Sequence, residues 1–246
     1  PHSIRKSFVV YNNSSAIFVI CYLMFEDSRL SKSFLNLDNH SFFNRMNFLA
    51  HAYLSFDQPK VLIGNFIGDF VRGKIDEQFE REIVTGIMLH REIDSFTDKH
   101  KLVKEAQEIL KPEFSRYSSV ITDMYFDYFL ALNWSKYSAV PLEDFSRSVY
   151  DLLEANSSIL PQKFLLPFKY MKKENWLTAY GTKTGIQRSF TGLSYRTSFD
   201  SKMELAPQFL EENHAVFESY FEYFFSELID FSKNKLKQLQ NRDGKL

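Results

Sequence analysis

The chain's 246 residues, 44% hydrophobic and 25% charged, fit one large globular domain or two small ones and exclude both a disordered chain and a membrane bundle. A net charge of −1 argues against broad non-specific binding to nucleic acid. The single cysteine, Cys21, rules out an intrachain disulfide framework and a thiolate metal cage, and it fits a reducing cytoplasm.

Residues 1–45 differ in kind from the rest. Arg5 and Lys6 precede an apolar run over 16–25 that has the length of a signal-peptide core and is too short to span a bilayer. Glu26-Asp27-Ser28-Arg29 follows where a small-residue cleavage motif would stand. The expectation is therefore an extraneous or poorly ordered segment, with the functional domain starting at Met46. From there the hydrophobic period is mostly 3.6, and helices are predicted over 47–55, 61–72, 82–95, 102–110 and 116–134, the last two separated by Pro112. Further helices are expected over 142–154, 163–171, 175–180 and 186–195, then a long aromatic-rich one over 206–237, led in by Pro207. A frayed tail covers 241–246. With 26 Phe and 13 Tyr against 8 Gly and 7 Pro, bulky filling outweighs turn formers. No internal repeat, glycine-rich phosphate loop or strand-like run interrupts the pattern, so the predicted fold is all-α, a single-domain multi-helix bundle over 46–240.

Four pairs of Asp, Asn and His residues at i,i+4 spacing stand out in these helices: Asn65/Asp69, His90/Asp94, Asp94/Asp98 and Asp123/Asp127. Residues four apart share a helix face, so each pair aims two polar groups the same way, often into a stripe that should be apolar. Burying unpaired carboxylates so costs on the order of 5 kcal/mol unless a cation or partner compensates, and a metal is the simplest compensation. With one cysteine, hard ligands would have to hold it.

Each residue has a structural alternative. His51, in the apolar opening helix, suits either a hydrogen bond or a ligand. His90 and Asp94 can reach one divalent ion together or simply bond each other, and Gly86 on the same helical line leaves room beside the imidazole. Asp98 is assigned first to capping or support, with Thr97 and Asp98 read as N-caps of a following helix. Asp123 and Asp127 sit in a helix with no Lys or Arg between Val120 and Leu132, and Asp69 follows an apolar run although Arg72 could pair with it. Such ligands suit Mn²⁺ or Mg²⁺ and the hydrolysis of a phosphoester. Arg91 is a phosphate-clamp candidate or else a surface salt bridge.

Four blocks carry a family resemblance: Met46-Asn47-Phe48-Leu49-Ala50-His51; Gly64 to Gly73 as G-N-F-I-G-D-F-V-R-G; Gly86 to Asp98 as G-I-M-L-H-R-E-I-D-S-F-T-D; and Asp123 to Leu130 as D-M-Y-F-D-Y-F-L. In this order and spacing the chain, from Met46 to about Lys237, resembles the acyl carrier protein phosphodiesterases. The resemblance implies a helical fold related to the HD-type metal phosphohydrolases, removal of 4'-phosphopantetheine from holo acyl carrier protein, and manganese as the favoured ion. By motif it ranks Asp69 first as essential, with His51, His90, Asp94 and Asp123 as ligands and Asp127 less firmly. Two departures stand out. Tyr128 occupies the position of a family histidine, and Asp94 lies four residues from His90 rather than adjacent to it as in the HD pattern. An acidic carrier protein would meet a basic face, for which Arg72, Lys74, Arg91, Lys183, Arg188 and Arg196 are placed, Arg188 and Arg196 within a block that also resembles the family. A nucleotide or other small phosphoester is the alternative substrate. A non-catalytic helical binding module is the alternative of a different class.

Overall fold

A computed structural model of the chain describes residues 47–195, 197 and 200–242. Residues 1–46, Arg196, 198–199 and the end 243–246 lie outside the described residues, and with them the expectations for the segment 1–45, the start at Met46 and Arg196. Among the described residues there are eleven α-helices joined by short turns, and no strand. In order they are α1 (Phe48–Tyr53), α2 (Pro59–Ile67), α3 (Arg81–Lys99), α4 (Lys101–Phe114), α5 (Ser118–Leu132), α6 (Leu142–Ala155), α7 (Gln162–Lys173), α8 (Trp176–Ala179), α9 (Lys183–Ser194), α10 (Ala206–Glu212) and α11 (His214–Arg242). None of them is long and apolar enough to cross a membrane.

The centre of the fold is the crossing of α2 and α3, where the two backbones touch. A Cβ at Gly64 would lie 2.0 Å from the Ile83 carbonyl oxygen, and one at Gly86 would lie 2.1 Å from that of Val61. Only glycine admits such an approach, and it brings the α2 residue Asn65 within reach of the α3 residue His90. Around this crossing the aromatic residues form the filling. Phe217, Phe221, Phe224 and Phe225 of α11 are buried, and Phe96 of α3 stacks on Phe231 of α11 with ring centroids 4.3 Å apart.

Several helix ends differ from the expectation. Pro112 does not separate two helices, because it sits in the last, exposed turn of α4, where the carbonyl it leaves unbonded can turn to water. The break comes three residues later at Ser115, whose φ is 48°. The single helix predicted over 206–237 is two, α10 and α11, because Asn213 turns its side-chain amide back onto the Phe209 carbonyl at 2.9 Å. At its far end α11 continues through Asn241. The helix expected over 61–72 ends at Ile67 and tightens into the 3-10 turn Gly68–Phe70. Conversely α3 runs on to Lys99, so Thr97 and Asp98 are helix interior. The residue that caps α4 is His100, whose Nδ1 accepts the Leu102 amide at 3.3 Å.

A candidate metal centre

Three elements converge on one point. α1 supplies His51, α2 supplies Asn65, and α3 supplies His90 and Asp94. The short α1 is held in place from α5: Asp127 accepts the backbone N–H of Leu49 and of Ala50, one on each carboxylate oxygen, both at 3.0 Å. These are amides of the first turn, which the helix itself leaves unbonded, and a negative group there also suits the helix dipole. Asp127 is fully buried, and burial pushes its pKa up to about 7 even against those two bonds.

His51, His90 and Asp94 are each less than a tenth exposed, at 2%, 4% and 8%. The two imidazoles stack with centroids 4.0 Å apart and planes 24° from parallel. The Nδ1 of His51 lies 2.8 Å from Asn65 Oδ1, and the Nδ1 of His90 lies 2.7 Å from the Asn65 carbonyl oxygen. Both Nε2 atoms are buried with no hydrogen-bond partner. Each faces carboxylate oxygen instead: His51 Nε2 is 3.3 Å from Asp94 Oδ1, and His90 Nε2 is 3.4 Å from both Asp94 Oδ2 and Asp69 Oδ1.

Nitrogen lone pairs aimed at carboxylate oxygens repel unless a positive charge sits among them. Burial, and then the neighbouring His90, hold His51 below its ordinary pKa despite Asp94 and Asn65. Burial disfavours the charged form of His90 too, but the facing carboxylates of Asp69 and Asp94 outweigh it and raise its pKa. A proton on His90 is thus one source of the missing charge, and a divalent cation is another. His51, His90 and Asp94 each offer a ligand atom, all within 4.8 Å of one another. Separations of 3.3–3.4 Å match ligand–ligand distances around an ion bound at about 2.0–2.2 Å. Each imidazole also has its second nitrogen engaged by Asn65, the arrangement that metal-binding histidines adopt. The residues present therefore fit a metal ion.

The other predicted residues fall into separate places. Asp69, a quarter exposed, reaches the cluster at His90. Asp123 and Asp94 both line a small pocket of about 130 Å³, together with Asn47, Thr97, Asp98, Gln107 and Ser119. Asp127, expected among the ligands, has both oxygens on the amides of α1, so the geometry gives it a scaffolding part. Asn65 does not face Asp69 either: with α2 ending at Ile67, the regular i,i+4 relation is lost and the amide turns to His51. Gly86 leaves room for α2 and not for a ligand. Gly68 is the glycine that matters to the imidazole, since a Cβ there would lie 2.3 Å from the His90 ring. Arg91 is exposed. Lys74 pairs with Glu77 at 2.8 Å, and Arg72 bonds the Val71 carbonyl at 3.1 Å.

A larger cavity of about 640 Å³ shares no lining residue with the cluster. Tyr128 lines it, with its hydroxyl 3.5 Å from His214 Nε2, alongside Lys183 and Arg188. Ser55, His214 and the role of Gly68 escaped notice in the sequence. For Ser55 and Gly68 the available signal was the lone Asn65 in the apolar run V-L-I-G-N-F-I, a buried amide that needs partners.

An all-helical domain whose two buried imidazoles and one carboxylate converge defines the class: a helical protein with a His/Asp metal-binding geometry. The model of the family described as acyl carrier protein phosphodiesterase matches residues 46–228, and the chain belongs to that family. It is 32% identical over 193 residues to the acyl carrier protein phosphodiesterase of Photorhabdus laumondii, an alignment covering 77% of this chain and 96% of the relative. Identity to the proteins of that name from an Enterobacter species and from Escherichia coli O6:H1 is 33% and 31% over 191 residues, covering 77% of this chain and 99% of each relative. No solved structure matches the chain.

Proposed function

We propose that this protein is a metal-dependent phosphodiesterase that removes 4'-phosphopantetheine from holo acyl carrier protein. Family membership supports the substrate. The observation that carries the chemistry is the pair of unpartnered Nε2 atoms facing Asp94. In the reaction, water adds its oxygen to phosphorus, the bond from phosphorus to the serine oxygen breaks, and that oxygen takes up a proton.

His51, His90 and Asp94 would hold the ion, and we assign it as Mn²⁺, with Mg²⁺ as the other choice, because imidazole suits manganese better than it suits the harder magnesium. When bound, such an ion acidifies water and stabilises charge on the phosphoryl oxygens. Asp69 stands at the rim, a quarter exposed against His90, where it can complete the ligand set or orient the attacking water. Asp123, which lines the same small pocket as Asp94, is the next residue we assign to the ligand set. Kinship with the HD-type phosphohydrolases accords with His and Asp ligands on helices, although here the His and Asp of α3 are four residues apart.

The carrier protein is acidic, and the face that meets it draws on Arg188, exposed beside the large cavity, with Arg72, Lys74 and Arg91 contributing charge; Arg196, outside the described residues, is proposed for the same part from its sequence block alone. The reading brings with it a cytoplasmic location.

The test is incubation of the full chain with holo acyl carrier protein and Mn²⁺, followed by mass spectrometry of the products. Apo-protein and free 4'-phosphopantetheine are expected. An intact holo-protein beside an enzyme that binds Mn²⁺ would sink the substrate assignment.

A further inference from the structure

We propose that Asn65 is the positioning residue of the metal centre, locking both imidazoles into the tautomer that leaves Nε2 bare, His51 through its side chain and His90 through its main chain. The consequence for metal binding rests on the reading above; the tautomer lock itself does not.

The lock follows from which atoms can donate. Asn65 is fully buried. One end of its amide lies 2.7 Å from the His51 carbonyl oxygen and 3.1 Å from Ser55 Oγ. A carbonyl oxygen only accepts, so that end must be the NH₂ group. Ser55 in turn donates its hydroxyl proton to the same His51 carbonyl at 2.9 Å, which leaves its oxygen free to accept from Asn65. The opposite end of the amide is then Oδ1, also only an acceptor, and it sits 2.8 Å from His51 Nδ1. His51 Nδ1 must carry the proton. At His90 the same reasoning needs one step: Nδ1 lies 2.7 Å from the Asn65 backbone carbonyl and so must donate to it. In the neutral state both Nε2 atoms are therefore lone pairs, which is the form a metal requires.

The network closes on itself everywhere except at those two nitrogens. It is also braced from behind. Gly64, next to Asn65, brings α2 onto the backbone of α3, and Gly68 makes room for the His90 ring. A substitution at position 65 alters the side chain and leaves the carbonyl, so the two histidines should respond differently. General loosening of the site would not separate them.

The experiment is nitrogen–proton correlation NMR of the histidine rings in the metal-free full chain, at a pH high enough to neutralise both imidazoles, with Mn²⁺ titration run in parallel. In the wild-type protein both rings should show the Nδ1–H form. In Asn65→Leu, His51 should shift toward Nε2–H, with Asp94 Oδ1 as its new acceptor, while His90 keeps Nδ1–H. Mn²⁺ affinity should fall roughly 10- to 100-fold, the usual cost of losing an outer-sphere partner. Wild-type His51 found as Nε2–H overturns the proposal without any variant. So does an Asn65→Leu protein in which His51 and Mn²⁺ affinity are unchanged, or in which His51 and His90 change alike. Failure of the wild-type chain to bind Mn²⁺ would instead overturn the metal assignment, with the ring spectra still deciding the lock.

Discussion

His51 and His90 stack ring on ring, centroids 4.0 Å apart, with their bare Nε2 atoms turned to the two oxygens of Asp94. Two imidazolium ions at that distance would repel strongly, which opposes charging both rings, and a divalent ion supplies the missing charge without that penalty. Mn²⁺ should therefore raise the melting temperature and EDTA should lower it. At an ion concentration 100 times the dissociation constant the stabilisation is about 2.7 kcal/mol. A melting temperature indifferent to both additions would favour a purely structural cluster and the binding-module alternative.

Among the described residues Asp94 is the one carboxylate paired with both imidazoles. Asp94→Asn keeps the shape and removes the charge, and its NH₂ group can bond an Nε2 lone pair directly. Hydrolysis of holo acyl carrier protein should fall by more than the roughly 10- to 100-fold expected of an outer-sphere change, with loss of Mn²⁺ binding by equilibrium dialysis and little change in metal-free melting temperature. Activity within tenfold of wild type would remove Asp94 from the centre.

The glycines can be told apart by stability and activity together. At Gly64 an added Cβ meets backbone, 2.0 Å from the Ile83 carbonyl oxygen, so Gly64→Ala should cost more than the ~1–3 kcal/mol typical of overpacking. At Gly68 it meets the His90 ring at 2.3 Å, and Gly68→Ala should harm Mn²⁺ binding out of proportion to its effect on denaturant midpoint. Gly192, in α9, has nothing within 4 Å of such a Cβ, and Gly192→Ala should stabilise by ~0.5–1 kcal/mol.

Asp127 makes stability depend on pH. Its folded pKa, about 7, lies above the unfolded value near 3.8. The folded state therefore holds the proton more tightly, and the contribution is full below the unfolded pKa and is lost as pH rises through about 7. Asp127→Asn cannot ionise, but its amide accepts from only one of the two α1 amides and should cost about 1–3 kcal/mol at low pH. Between about pH 4 and pH 8 the wild type should lose stability relative to this variant, by an amount on the order of a few kcal/mol. Paired denaturant titrations across that range measure the difference, and a constant gap would mean that Asp127 stays ionised throughout.

Local period was enough to place most of the helices and to put His90 and Asp94 on one face of α3, because both follow from spacing along a single element. It failed at ends that a side chain or turn decides: Asn213 breaking α10 from α11, Ser115 rather than Pro112 ending α4, and Gly68 tightening α2. It also misassigned partners. Spacing pairs Asn65 and Asp127 each with the residue four positions away, whereas the carboxylate of Asp127 bonds amides of α1 and the side chain of Asn65 bonds His51 and Ser55.

From residues alone came the all-helical class, an excess of acids and imidazoles on apolar helices, and the blocks that resemble the family. Those are properties of composition, spacing and motif. Only the tertiary structure separated the polar residues into His51, His90 and Asp94 about one point, Asp69 at its rim, Asp123 lining a neighbouring pocket and Asp127 holding the end of α1. The reason is physical: a helix determines which side chains share a face, but what that face meets depends on how closely another backbone can approach, and at Gly64 and Gly86 that approach is contact.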